Sequence, residues 1–240
     1  MLGMAGESTI ANEVGFKNAR VGKGKNGPNR LRTMHEVRAV GQHFYAVGMR
    51  RQVFRLPMTG GAWQQVDTGV FVSDSSKEVV GFLSVDGFDD NDVYGVGYGG
   101  QIWHFDGVKW EQLPSPTNLR LECVRCAPDG RVLICGAQGV VLSGRGAGWE
   151  ILNQTESDDD LLSLAVLGDQ IFFASDDSLL LRLHNGKFTG IRPRPSKTIS
   201  TGFLDSNGKT LVSIGETDIL LFDGKTWKDV PAPPIQIDRG

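Results

Sequence analysis

Apolar and polar residues alternate along most of this chain, in short runs separated by glycine and acidic residues. The stretch "DVYGVGYGGQIWHFDGVKW", Asp92–Trp110, is representative. It alternates up to Gly97, turns at a glycine cluster, alternates again from Ile102, and stops at Asp106–Gly107. A period of two places alternate side chains on opposite faces of a strand. Asp-Gly supplies the positive φ that a tight hairpin turn needs. This stretch predicts two antiparallel strands and the start of a third.

The same pattern recurs. "VYGVGYGGQIWHFDGVKWEQL" is matched by "TLVSIGETDILLFDGKTWKDV" near the C-terminus, and the phrase FDG-x-x-W ends both at Trp110 and Trp227. Weaker copies, "VLICGAQGVVLSGRGAGWEIL" and "IFFASDDSLLLRLHNGKFTGI", place Trp149 and Phe188 at the matching point. Positions 110, 149, 188 and 227 are each 39 apart. An upstream copy, "FYAVGMRRQVFRLPMTGGAWQQV", brings in Trp63. Each copy predicts three strands, B, C and D. An apolar A strand precedes each: "HEVRAVG", "EVVGFLSV", "RLECVRCA", "LLSLAVLG" and "ISTGFLD". Four-stranded antiparallel units repeating every ~40 residues predict the blades of an all-β β-propeller. The aligned tryptophans then pack against the neighbouring blade.

Leu2–Val21 aligns without gaps on Tyr94–Leu113, with Asn18 at the tryptophan position and no A strand ahead of it. "PIQIDRG", Pro234–Gly240, offers that strand from the other end. The expectation is a single domain over 1–240 with six blades, the first closed by both chain ends. The alternative is five blades with an N-terminal appendage.

These strings resemble the "DVWAVG…G-x-I-x-x-(F/W)-D-G-x-x-W" repeats of bacterial β-propellers, of the WD40-like and photosystem-assembly type. The resemblance implies the fold over nearly the whole chain. The repeats are scaffold, so function must come from loops. Small stand-alone bacterial propellers of this kind include proteins that bind and neutralise a cognate toxin, as immunity proteins do. Two departures matter. The sialidase Asp-box, S-x-D-x-G-x-x-W, is absent, because Asp106–Gly107 and Asp223–Gly224 are adjacent pairs. The Gly-His and Trp-Asp pairs of WD40 blades are absent too.

Composition narrows the function classes. The 25 basic and 28 acidic residues nearly balance, which favours neither nucleic acid nor an acidic membrane as partner. No apolar run approaches the ~18 residues of a membrane span. "MLGMAGESTIANEVG" lacks the basic start and apolar block of a signal peptide. The three cysteines, Cys123, Cys126 and Cys135, suit a reducing, cytoplasmic setting. "CVRC" lies in a predicted strand, where residues three apart face opposite sides, so the pair does not suit a shared metal. His35, His43, His104 and His184 show no metal-ligand spacing, and G-x-S-x-G is absent. The expectation is no cofactor, no metal and no catalytic set. Tyr45 and Tyr94 are expected to pack inside B strands.

Charge points to a docking face. D–A loops and B–C turns of a propeller emerge on one side. From Glu13 to Glu36 the six charged residues between are all basic: Lys17, Arg20, Lys23, Lys25, Arg30 and Arg32. Arg50 and Arg51 lie in the next B–C turn. Glu156, Asp158, Asp159 and Asp160, with Asp176 and Asp177, form an acidic sector. Phe71, in the D–A loop Asp67–Glu78, and Tyr98, in a B–C turn, are the expected aromatic anchors, and Gln138 lies in the B–C turn that follows. The leading reading is a non-catalytic, monomeric scaffold whose partner is another protein, such as a toxin domain. A glycan- or ligand-binding lectin-like propeller is second, and a propeller hydrolase or lyase third.

Overall fold

The computed structural model describes residues 9–10, 19–20, 33–73, 77–152, 158–175, 178–194 and 197–231. They divide into two compact units, Met1–Asp159 and Asp160–Gly240. The fold is an all-β β-propeller. Regular helix is absent among the described residues apart from two three-residue 3-10 turns.

The first unit holds three four-stranded blades. The first comprises β3 (Met34–Val40), β4 (His43–Gly48), β5 (Val53–Pro57) and β6 (Gln64–Gln65); a two-stranded pairing, β1 (Thr9–Ile10) with β2 (Ala19–Arg20), precedes it. The second comprises β7 (Phe82–Asp89), β8 (Asp92–Gly97), β9 (Ile102–Phe105) and β10 (Trp110–Leu113). The third comprises β11 (Leu121–Cys126), β12 (Val132–Gly136), β13 (Val141–Arg145) and β14 (Gly148–Ile151). The second unit holds two blades. One is β15 (Leu161–Leu167), β16 (Gln170–Ser175), β17 (Leu180–His184) and β18 (Lys187–Gly190). The other is β19 (Phe203–Ser206), β20 (Leu211–Ile214), β21 (Ile219–Phe222) and β22 (Trp227–Asp229). Every blade is an antiparallel meander in chain order.

The expectation of six blades is therefore corrected to five four-stranded sheets among the described residues. Pro234–Gly240, assigned to close the first blade, lies outside the described residues, as does most of Leu2–Val21. The pairing of β1 with β2 has two residue pairs and does not make a blade.

The repeat phrase works as a local turn. Asp106 Oδ1 accepts the amides of Val108 and Lys109, each at 2.8 Å, and Gly107 takes φ 92°. Asp223 does the same for Lys225 and Thr226, at 3.0 and 2.8 Å. The aromatic residue that follows sits opposite the end of the C strand: Trp110 faces Phe105, Phe188 faces Leu183, and Trp227 faces Phe222. The rings of Trp110, Trp149 and Trp227 then pack on the preceding blade, whereas Phe188 meets Phe173 of its own blade at 5.8 Å. Trp110 joins a core with Val40, Tyr45, Val47 and Val53, and its Nε1 donates to the Val66 carbonyl at 2.8 Å. Trp149 meets Tyr94 edge-on at 6.4 Å, and Trp227 meets Phe172 at 6.3 Å. Trp63 packs with Met34, Ala46 and Phe54 of its own blade.

A second device recurs where blades meet. β3, β7, β11 and β15 each carry a register shift after their first residue. The residue after each shift is Glu36, Ser84, Cys123 or Ser163. A bulge re-aims a side chain, and three of these accept a main-chain amide from the next A strand. Val85 N donates to Glu36 at 2.8 Å, Val124 N to Ser84 at 3.0 Å and Leu204 N to Ser163 at 3.0 Å. Each bond satisfies an amide that would otherwise be buried without an acceptor.

Candidate partner-binding face

The B–C turns of the first unit share one backbone course with two consecutive left-handed residues. In the second blade these are Gly99 and Gly100, at φ 67° and 69°. A Cβ on Gly100 would lie 2.1 Å from the Thr117 carbonyl oxygen, so that turn admits only glycine. The third blade has Gln138 and Gly139, at 55° and 69°. The first blade has Arg50 and Arg51, at 63° and 53°. Left-handed backbone costs a residue with a side chain on the order of 1 kcal/mol or more.

Both arginines are held by the D–A loop. They are only 5% and 9% exposed. Arg50 Nη1 donates to the Glu78 carbonyl at 3.1 Å, and its own carbonyl accepts Val72 N at 3.0 Å. Arg51 donates to the Val70 carbonyl at 3.3 Å and to Gln101 Oε1 at 2.7 Å, with its guanidinium 4.9 Å above the Trp103 ring. The expectation that these two charges orient a partner is corrected: the loop encloses them, and they fix that loop instead. The loop's apolar run divides. Val70 enters the core, while Phe71 stays 37% exposed. Beneath them Asp67 is buried, and desolvation raises its carboxyl above the ordinary value.

The other expected site residues fall as follows. Tyr98 is half-buried, with its amide on the Gly81 carbonyl at 3.4 Å. Gln138 is exposed at the tip of the third blade's turn. Asp159 is exposed and Asp160 half-buried, just before β15. Asp176 and Asp177 lie outside the described residues, as do the side chains of the Lys17–Arg32 basic run. The first unit thus brings Phe71, Tyr98 and Gln138 to the loops of one face.

The opposite set of turns is occupied by packing and ion pairs. Tyr45 and Tyr94 are buried, and burial pushes both phenols up to about 12. His43 pairs with Asp90 at 2.8 Å and His104 with Asp92 at 2.9 Å. Among the described residues, no group of three or more His, Cys, Asp or Glu side chains is placed to hold a metal ion. Cys123 faces Cys135 across β11 and β12, both buried, and desolvation raises the Cys126 thiol well above its usual range.

The second unit carries a feature on its D–A/B–C side that the sequence reading passed over. A cleft of about 400 Å³ opens between the segment Ile191–Ile199 and Ser178 of the B–C turn. Ile191 and Ile199 pack into the core at either end of that segment. Between them Arg194 reaches Asp218 Oδ1 at 2.6 Å and also pairs with Asp229. The other Asp218 oxygen accepts Ser200 N at 2.8 Å. This amide and the guanidinium hold the Asp218 carboxyl well below the usual carboxylate range. Arg192 and Lys197, also lining the cleft, are exposed. The signal was present as "IRPRPSKTI", three cations and two prolines without an acid.

Five meander blades among the described residues, with Trp110, Trp149 and Trp227 packed on the blade before each, define a β-propeller. Comparison with known proteins agrees. No protein-family model matches the chain. It is 38% identical over 183 residues to immune protein Tsi7 of Pseudomonas aeruginosa, a match covering 76% of this chain and 59% of that protein. The chain therefore spans less than two thirds of that relative's length. Among solved structures it is similar to YCF48 bound to D1 peptide, with a TM-score of 0.62, 18% identity, and coverage of 82% of this chain and 66% of that one.

Proposed function

We propose that this chain is a non-catalytic β-propeller that binds another protein, and that it acts as an immunity protein neutralising a cognate toxin in the cytoplasm. The observation that carries this reading is the 38% identity, over 76% of the chain, to a protein named as an immune protein. The loops support it. A rigid frame of paired blades displays turns that differ from blade to blade, which suits recognition of one particular surface. Phe71 and Tyr98 offer the aromatic contact area that anchors interfaces. Gln138 is a polar contact on the same face of the first unit, and Asp159, with its sequence neighbour Asp160, supplies acidic charge for orienting the partner. Arg50 and Arg51 serve from within, by setting the loop that carries Phe71.

The test is co-expression with a candidate toxin from the same locus. The chain is expected to restore growth and to co-purify with the toxin. Phe71→Ala with Tyr98→Ala is expected to weaken the complex at least tenfold without lowering the melting temperature by more than a few degrees. A chain that neither restores growth nor binds any such toxin defeats the reading. Binding unaffected by the double variant removes these two anchors.

A further inference from the structure

We infer that the Ile191–Ile199 cleft of the second unit is a receptor for clustered carboxylates on a protein partner, that is, for an acidic loop or strand end. The inference rests on the protein-binding reading above, and it adds both a place and a chemistry.

The described part of the segment is tied down at several points. Pro193 fixes φ just ahead of Arg194. Ile191 and Ile199 anchor its ends in the core, and Arg194 is clamped at its middle by Asp218 and Asp229. Preorganisation of this kind lowers the ordering cost of binding. The clamp uses up Arg194 and leaves two cations for a ligand. Arg192 and Lys197 are exposed on the cleft, and among the described residues neither has an ion pair. Thr198 and Ser178 add hydroxyls to the same lining. The cleft is therefore a polar cavity with two exposed cations and two hydroxyls, set in a chain whose net charge is −3. A local positive site on a negative molecule steers an acidic surface to one place. About 400 Å³ admits more than one carboxylate side chain and does not enclose them.

The probe is a deca-glutamate peptide, with binding followed by calorimetry on the full chain. Wild-type protein is expected to bind it, and more weakly as salt rises. Arg192→Glu/Lys197→Glu is expected to weaken binding at least tenfold while the melting temperature stays within a few degrees, because both side chains are exposed. Arg192→Ala/Lys197→Ala should give a smaller loss in the same direction. Asp176 and Asp177 precede Ser178 in sequence, so Asp176→Asn/Asp177→Asn is expected to tighten binding severalfold. Absence of peptide binding overturns the inference, as does binding that the charge reversal leaves unchanged. Displacement of the peptide by stoichiometric inorganic phosphate would make this a phosphate site and overturn it equally. A toxin that binds wild type and the Arg192→Glu/Lys197→Glu variant alike would dismiss the cleft while leaving the immunity reading intact. If no toxin binds wild type, that reading fails, and the peptide experiment still decides the cleft.

Discussion

The two units solve one problem with different chemistry. In both, a bulged A strand presents a side chain that takes an amide from the A strand beside it. In the second unit the joint is minimal. Ser163 Oγ accepts Leu204 N at 3.0 Å and returns a bond to the Leu204 carbonyl at 3.3 Å. The first unit adds charge to the same joint. Ser84 accepts Val124 N, donates to Glu36 Oε2 at 2.7 Å and accepts from Arg125 Nη1 at 3.2 Å. Arg125 in turn pairs with Glu36 at 2.9 Å, and Asp86 takes Cys126 N at 2.9 Å with Arg38 3.7 Å away. In the second unit one hydroxyl carries the side-chain polar part of the joint, over an apolar core that both blades share. A network across three A strands makes every member depend on the rest, because each loss leaves a charge or donor enclosed without a partner.

That contrast can be broken at its strongest point first. Glu36→Ala leaves Arg125 enclosed without its main counter-charge, at an expected cost of about 3 kcal/mol in urea unfolding. A cost below about 1 kcal/mol would mean that the network adds nothing to the joint. Ser84→Ala and Ser163→Ala then compare the two joints directly. Ser163→Ala strands one amide and should cost about 1 kcal/mol, whereas Ser84→Ala also disturbs Glu36 and Arg125 and should cost about 2 kcal/mol. Equal costs would show that the charges do not cooperate with the hydroxyl.

The smallest effect sharpens the electrostatics of the second unit. The Asp218 carboxyl is held below its ordinary value, first by the Ser200 amide and then by Arg194. A depressed carboxylate stabilises the fold above its unfolded pKa and loses that contribution as pH falls toward its folded value. Asp218→Asn is therefore expected to melt a few degrees below wild type from pH 8 to 5. The gap should narrow below about pH 4, the unfolded value for an aspartate. A gap of the same size at pH 3 and pH 7 would place the Asp218 contribution in packing instead of charge.

Legibility followed the range of each interaction. Trp110 and Asp106 could be placed because their turn is closed by bonds to the next two or three residues, so composition alone reports it. The A strand before β8 was read from Glu78 onward, but β7 begins at Phe82, since Val80 and Gly81 are taken by the neighbouring turn through Arg50 and Met49. The last A strand similarly starts at Phe203, because Ser200 and Thr201 bond to Asp218 and Ser213. Arg50 and Arg51 were expected to be exposed docking charges, because they sit in a polar turn. Their burial depends on a loop about twenty residues away whose path the local sequence does not encode.

By itself, the sequence determined the strand period, the hairpin turns and the equivalence of Trp110, Trp149 and Trp227, whereas Trp63, aligned with them in sequence, packs within its own blade. All of these depend on alternation, positive φ and contacts between near neighbours in the chain. Tertiary structure alone decided which polar residues are enclosed and which are offered to a partner. Ser84 meets Val124 across 40 residues, and Arg194 meets Asp218 across 24. Whether Arg51 or Arg192 is a structural cation or a surface one is set by what packs over it, and that is fixed only when distant strands and loops come together.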